Sequence, residues 1–329
     1  MQAVTYRAFG PASEVLRLQT VDCPPPGPGE VTVELVFSGV NPSDVKARAG
    51  ARAGMSELPW PLIVPHSDGA GVISALGEGV APERLGQRVW VWNGQWRRAF
   101  GTAAERITLP ADQAEVLPEG VSLQTGATLG IPAQTACHTV FNGGEVAGRT
   151  VLVQGGAGTV GYLAVQLAKW GGARVIATAR ESAMERVRAA GADVVLDYGA
   201  PDLADAVLRA NDGAPVDRIV EVEFGLNAQT DAQVIAENGR INAYGSAKAM
   251  TPELPFYPLL FKAVTVEFAL IYLLTAQQRR DVATLLSRAL AEGALDSPVA
   301  RIFDMADCAA AHDAVAAGGR TGAILVATR

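Results

Sequence analysis

The run Val151-Leu152-Val153-Gln154-Gly155-Gly156-Ala157-Gly158-Thr159-Val160-Gly161 decides how this chain folds. An apolar strand enters a glycine cluster, and a helical pattern, Thr159–Trp170, leaves it. Gly156, Gly158 and Gly161 are spaced G-x-G-x-x-G, in which the first glycine permits a tight turn. The second lets backbone approach a pyrophosphate, and the third lets helix and strand pack closely. The helix N-terminus then offers its free N–H groups and positive dipole end to the phosphates. Alone, such a motif also describes a glycine-rich surface turn. Here the strand, the helix and a following strand are all in place.

Outward from this run, strands alternate with helices. Strands are expected at Thr150–Gln154, Arg174–Thr178, Asp193–Leu196, Arg218–Val222 and Arg240–Tyr244, with helices at Thr159–Trp170, Glu181–Ala190 and through Ala228–Ala236. This is the pattern of βαβ units on a doubly wound parallel sheet, an α/β class. Before residue 123 the texture differs. Val31–Val40 alternates with the period of a half-buried strand, and short β-type runs (Val64–Leu76, Gln87–Trp92, Ala104–Leu109) are separated by Gly and Pro. After the alternating block, helices around Gln277–Glu292 and Ala306–Ala317 and a strand at Ala323–Ala327 suggest a return to the first domain.

The chain has 329 residues, enough for about two domains with their own cores. A net charge of −7 offers no overall positive field for nucleic acid or an anionic membrane. Cys23, Cys137 and Cys308 fit neither a disulfide framework nor a thiolate zinc cluster, so a cytoplasmic setting is the default. The longest apolar stretch, Ala263–Ala276, contains Glu267 and is too short to span a bilayer.

Cofactor choice is read at the end of the second strand of the alternating block. An acidic residue there would bind a ribose 2′-hydroxyl, but Ala179 stands in its place. Arg180 follows and can pair with a 2′-phosphate, which favours NADP(H) over NAD(H); Glu181 could instead supply the missing acid. Ala179, Arg180 and Ser182 are accordingly counted among the cofactor-binding residues.

The chain resembles the zinc-independent, zeta-crystallin-like quinone oxidoreductases of the medium-chain dehydrogenase/reductase superfamily. The resemblance is carried by Met1–Val4, Phe9-Gly10, Glu14–Leu16, Gly39–Asp44, Ser67–Val72, Gly130–Ala133 and the glycine loop. It implies a GroES-like β-rich catalytic domain (1–122 and 265–329) around a Rossmann NADP(H)-binding domain (123–264), and a homodimer. It also implies cofactor contacts at Asn41, Thr135, Gly156, Ala157, Gly158, Thr159, Val160, Gly161 and Tyr198, and at Tyr244, Gly245 and Ser246 on the carboxyl edge of the sheet.

Zinc members of the superfamily have a Cys where Asn41 aligns and a His where Ser67 aligns. Neither residue present here is a usual zinc ligand, so no metal is expected. His66, one position off, is expected to be a structural or cleft-edge histidine. Without a Lewis acid, hydride delivery to an electron-poor quinone or α,β-unsaturated carbonyl remains feasible.

The segment Asn41-Pro42-Ser43-Asp44-Val45-Lys46 is where a donor to the acceptor oxygen is sought. Lys46 could stabilise or protonate an enolate, or could be a surface lysine paired with Asp44; the residues leave both open. Asn41 could contact the nicotinamide ribose or serve only as the turn residue before Pro42. The adjacent Cys137 and His138 read as core residues, and His312 as an exposed face residue. The aromatic loop Trp92–Gly101, with Trp60, could line an acceptor pocket or be a partner contact. Competing readings are an enoyl-thioester reductase and a non-enzymatic, crystallin-like NADPH-binding protein.

Overall fold

The computed structural model describes residues 1–51, 54 and 56–329. They form two compact units, Met1–Ile131 with Ser297–Arg329, and Pro132–Asp296.

In the second unit six parallel strands build one sheet: β1 (Thr150–Val153), β2 (Arg174–Ala179), β3 (Val194–Asp197), β4 (Val216–Glu221), β5 (Ile235–Ala243) and β6 (Thr265–Phe268). Their order is β3-β2-β1-β4-β5-β6, the doubly wound arrangement of dinucleotide-binding sheets. Leu152, Ile176, Ile219 and Ile241 on the central strands are all 0% exposed, so the apolar runs are buried on both faces. β6 pairs in register with β5 (Arg240 opposite Thr265). Residues 265–296 therefore lie in this unit, where the sequence reading had assigned them to the catalytic domain, and the observed boundaries fall at 131/132 and 296/297. The strand was missed because Thr265–Phe268 is only four residues long and has no glycine or proline punctuation nearby.

The first unit is β-rich. Glu30–Val40 pairs antiparallel with Asp68–Leu76, with Arg106–Pro110 and with the C-terminal strand Ala323–Ala327, where Ile324 stands opposite Val40. Helix Pro42–Arg48 follows directly on Glu30–Val40, and helix Cys308–Ala316 precedes the last strand. Val31, Val33 and Leu35 are wholly buried with Ile73, Val89, Val91, Ile107 and Leu109 in one core.

The glycine loop shows a division of labour that differs in one detail from the spacing argument. The left-handed turn falls on Gly155 (φ 71°), whereas Gly156 is required by packing, since a Cβ there would lie 3.0 Å from both Ala177 and Val187. At Gly161 a Cβ would lie 2.3 Å from the Gly155 carbonyl oxygen. Replacing Gly161 by Ala should therefore destabilise the chain by roughly 1–3 kcal/mol as an overpacking change, despite alanine's better helix propensity. A lowered midpoint in thermal unfolding checks this, and an unchanged or raised midpoint would contradict the close-packing role.

Candidate cofactor and catalytic residues

Helix Thr159–Trp170 begins at Gly158, and its first backbone hydrogen bond runs from Tyr162 N–H to the Gly158 carbonyl (2.8 Å). The N–H groups of Thr159, Val160 and Gly161 precede it and have no intrahelical acceptor. A Cβ at Gly158 would meet only the Gly155 oxygen, at 3.4 Å, so open space lies before this helix end. That cradle fits a pyrophosphate. Arg186, which sequence reasoning missed, donates to the Ala157 carbonyl (2.7 Å) and covers the Tyr162 ring, bringing a cation to the loop. Its signal was faint, one arginine among several in a short helix.

The other proposed cofactor residues of this unit gather where the parallel strands end. Ala179 closes β2 and is buried, and Arg180, Glu181 and Ser182 after it are exposed. Arg180 forms no ion pair among the described residues. Tyr198, just past β3, is 56% exposed and lines a cavity of about 630 Å³ together with Gln154, Thr178, Asp202, Glu223 and Lys248. Tyr244 and Gly245 follow β5, and a Cβ at Gly245 would lie 2.4 Å from the Val222 oxygen. The Ser246 hydroxyl accepts from Gly225 N–H (2.9 Å) and donates to the Ala249 carbonyl, so it holds its own loop. Thr135 is buried on helix Gln134–Phe141. On that helix Cys137 Sγ lies toward the Val282 carbonyl, while His138 Nε2 pairs with Glu267 (2.8 Å), so the two neighbours form no dyad.

Beneath the loop is a buried polar network with no clear sequence signal. Thr178 Oγ1 accepts from Gly155 N–H (3.0 Å) and donates to Gln154 Oε1 (2.8 Å), and Gln154 Nε2 donates to Asp231 (3.1 Å). Glu221 lies beside Asp231 and accepts from Asn227 (3.0 Å). Burial, and then the neighbouring Glu221, push the Asp231 carboxyl well above the usual carboxylate range.

In the first unit, Asn41 caps helix Pro42–Arg48, and its backbone N–H donates to the Asp44 carboxylate (2.8 Å). The Asn41 side chain donates to Asp68 Oδ2 (2.7 Å). Asp68, 0% exposed, also accepts from Ile131 N–H (2.9 Å). Burial raises its pKa well above the ordinary range, opposed by these N–H donors. Gly130 makes the contact possible, because a Cβ there would lie 2.1 Å from Asp68 Oδ1. Lys46 is exposed and has no ion pair among the described residues; Asp44 is engaged at the helix cap instead. In the aromatic loop, Trp92 and Asn93 are buried, and Gly94 N–H donates to the Ser67 carbonyl (2.8 Å).

Two histidines lie buried against each other. His312, expected on an exposed face, is 0% exposed and 2.9 Å from His66, because the alanine-rich helix Cys308–Ala316 presents its Cys308, Ala311, His312 and Val315 face to the core. His66 is also buried, at φ 75°.

A catalytic zinc of the superfamily type does not fit these residues. Asn41 turns its amide N–H to Asp68, whose two oxygens receive the N–H groups of Asn41 and Ile131, and Ser67, where the resemblance implies a histidine, offers only a hydroxyl.

Comparison with known proteins agrees with this division. Residues 27–119 match the model of the alcohol dehydrogenase GroES-like domain, and residues 159–290 match that of the zinc-binding dehydrogenases. The quinone oxidoreductase of Sus scrofa is 28% identical over 99% of this chain and 97% of its own. Among crystal structures, an NAD-dependent alcohol dehydrogenase has a TM-score of 0.86 at 29% identity, covering 99% of both chains. The quinone oxidoreductase of Pseudomonas syringae has a TM-score of 0.84 at 26% identity, again over 99% of both chains.

The Asp231–Glu221 pair gives a pH prediction. Below about pH 4 the folded and unfolded chains both hold the Asp231 proton. As pH rises toward the raised folded value, the unfolded chain ionises first and stability is lost. Asp231→Asn should remove this loss, so chemical denaturation between pH 4 and 8 should show a flatter profile for the variant. Parallel profiles would contradict the assignment.

Proposed function

We propose that this chain, which belongs to the medium-chain dehydrogenase/reductase superfamily of oxidoreductases, reduces quinones or α,β-unsaturated carbonyls with NADPH and without zinc. The observation that supports the reading is the Asn41–Asp68 hydrogen bond (2.7 Å), which engages an amide donor where the resemblance implies that zinc members carry a ligand. Lacking a Lewis acid there, the protein is suited to acceptors already electron-poor enough to take hydride.

NADPH, when bound, supplies the hydride. The chain's part is to bind, orient and compensate charge. The Gly155–Gly161 loop and the N–H groups of Thr159, Val160 and Gly161 receive the pyrophosphate, and Arg186 adds positive charge beside them. Arg180, exposed and unpaired among the described residues, receives the 2′-phosphate, with Ser182 and Tyr198 nearby in sequence and strand order. Tyr244, Gly245 and Ser246 shape the carboxyl edge of the sheet, and Thr135 contributes from its helix.

Negative charge that builds on the acceptor oxygen needs a donor. Lys46 is suited to the task because its ammonium is exposed and Asp44 is engaged elsewhere. Asp44 acts by holding the first turn on which Asn41 and Lys46 depend, and Asn41 presents its remaining polar capacity to ribose or substrate. A cytoplasmic homodimer is the setting this reading carries; among the described residues no helix is long and apolar enough to cross a membrane.

Replacing Lys46 by Met should lower kcat/KM for an alkyl vinyl ketone at least about tenfold, whereas an unchanged rate would return Lys46 to a surface role. Replacing Arg180 by Ala should weaken NADPH binding about tenfold or more and leave NADH binding unchanged in fluorescence titrations. Equal affinity of the unmodified chain for NADPH and NADH would contradict the cofactor assignment.

A further inference from the structure

Away from the residues assigned above, the first unit buries three metal-ligating side chains together. Cys308 and His312 stand one turn apart on helix Cys308–Ala316, so they share a face. His66 meets them from the loop preceding strand Asp68–Leu76. His66 Nε2 is 2.9 Å from His312 Nε2 and 3.8 Å from Cys308 Sγ, and one ligand atom from each residue lies within 4.8 Å of the others. All three residues are at most 1% exposed.

The hydrogen bonds around His66 fix its proton. Thr102 Oγ1 donates its single proton to the Asp68 carbonyl (2.6 Å). The 2.8 Å contact between Ser38 and Thr102 must then be donated by Ser38. With its own proton committed, Ser38 can only accept at its 2.8 Å contact with His66, so His66 Nδ1 carries hydrogen. His66 Nε2 is left as an acceptor facing His312 and Cys308. This is the tautomer of a histidine that ligates through Nε2, with its other nitrogen oriented by a hydrogen bond. Against that acceptor the 2.9 Å contact is donated by His312 Nε2–H, and His312 Nδ1, which has no hydrogen-bond partner among the described residues, is the nitrogen that takes a proton when Nε2 binds an ion. The His66 backbone is left-handed (φ 75°), a conformation more usual for glycine, and it is what aims the ring at the helix.

We propose that His66, Cys308 and His312 form a closed, three-coordinate site for a soft monovalent cation, copper(I). An ion bonded to two imidazole nitrogens and a thiolate requires N···N and N···S separations of roughly 3.4–3.8 Å. The observed 3.8 Å already meets that, the 2.9 Å pair must open by about half an ångström, and the His312–Cys308 pair, within 4.8 Å, must close by up to about one ångström. Thiolate is the soft ligand that selects copper(I). A thiolate with two neutral imidazoles and a single positive charge is neutral overall, which suits a dry pocket; a divalent ion would leave a net charge buried near Arg48. No fourth ligand for a tetrahedral zinc is present in the cluster among the described residues. On binding, the Cys308 thiol proton leaves to solvent, His312 gives up its Nε2 proton and takes one at Nδ1 so that the ring stays neutral, and no electron is transferred.

The test is an anaerobic competition for copper(I) between the full chain and a chromophoric copper(I) chelator, with metal content also measured after expression in copper-supplemented cells. One equivalent per chain and a near-ultraviolet thiolate-to-copper absorption are expected. Cys308→Ser should abolish both. His66→Gly, which suits the left-handed backbone and so preserves the fold, should abolish stoichiometric binding. Ser38→Ala, which removes the orienting hydrogen bond to His66 together with the Ser38–Thr102 bond and leaves all three ligands in place, should weaken binding about 10–100-fold. Copper(I) should raise the thermal midpoint of the unmodified chain and leave that of His66→Gly unmoved. Absence of copper(I) uptake by the unmodified chain, uptake of zinc(II) in preference to copper(I), or equal uptake by the Cys308→Ser and His66→Gly chains would each overturn the proposal.

Discussion

Asp68 is buried without a cationic partner among the described residues, and much of the first unit is arranged to satisfy it. Its carboxylate receives Asn41 and Ile131, and its backbone carbonyl receives Thr102. The first contact fixes the start of the helix that carries Lys46. The second requires glycine at 130, where any side chain would strike the carboxylate. The third begins the chain of hydroxyls through Ser38 that sets the tautomer of His66. A buried carboxylate that lost these donors would bear its full desolvation cost, so the residues form one interdependent set.

The second unit depends on a different constraint, close approach of backbone to backbone. Where Gly161 meets the Gly155 carbonyl, no side chain fits, and the helix consequently begins against the loop with its first N–H groups outward. Electrostatics for an anion follow from that packing and from Arg186, without a carboxylate at the end of β2. One unit thus presents a helix start with outward N–H groups, the other a capped helix with an exposed ammonium.

The sequence was most informative where period and punctuation coincide. The alternation of Leu152, Ile176 and Ile219 strands with helices, and the glycine spacing, are local properties that tertiary structure did not override. Thr265–Phe268 was missed because four residues bounded by neither glycine nor proline carry too little period to read. His312 was misplaced for a related reason: in an alanine-rich helix the hydrophobic face is poorly marked, and the face is chosen by contacts 246 residues away in sequence. The left-handed turn moved from Gly156 to Gly155 because adjacent glycines are interchangeable by spacing and are distinguished only by what packs against each. Asn41 is expected as a site residue from its own segment, but its bond to Asp68 joins strand and helix segments that no local pattern connects.

The central claim, zinc-free hydride transfer from NADPH to an electron-poor acceptor, is tested most directly with NADPH deuterated at the nicotinamide C4 position. The protein, treated with a strong zinc chelator, is given an alkyl vinyl ketone and, separately, a 1,4-quinone, and NADPH oxidation is followed together with deuterium in the recovered product. Chelator-resistant turnover with at least one acceptor is expected and, for the enone, deuterium at the β-carbon. Bound NADPH without turnover, or turnover that is lost with the chelator and restored by zinc, would contradict it.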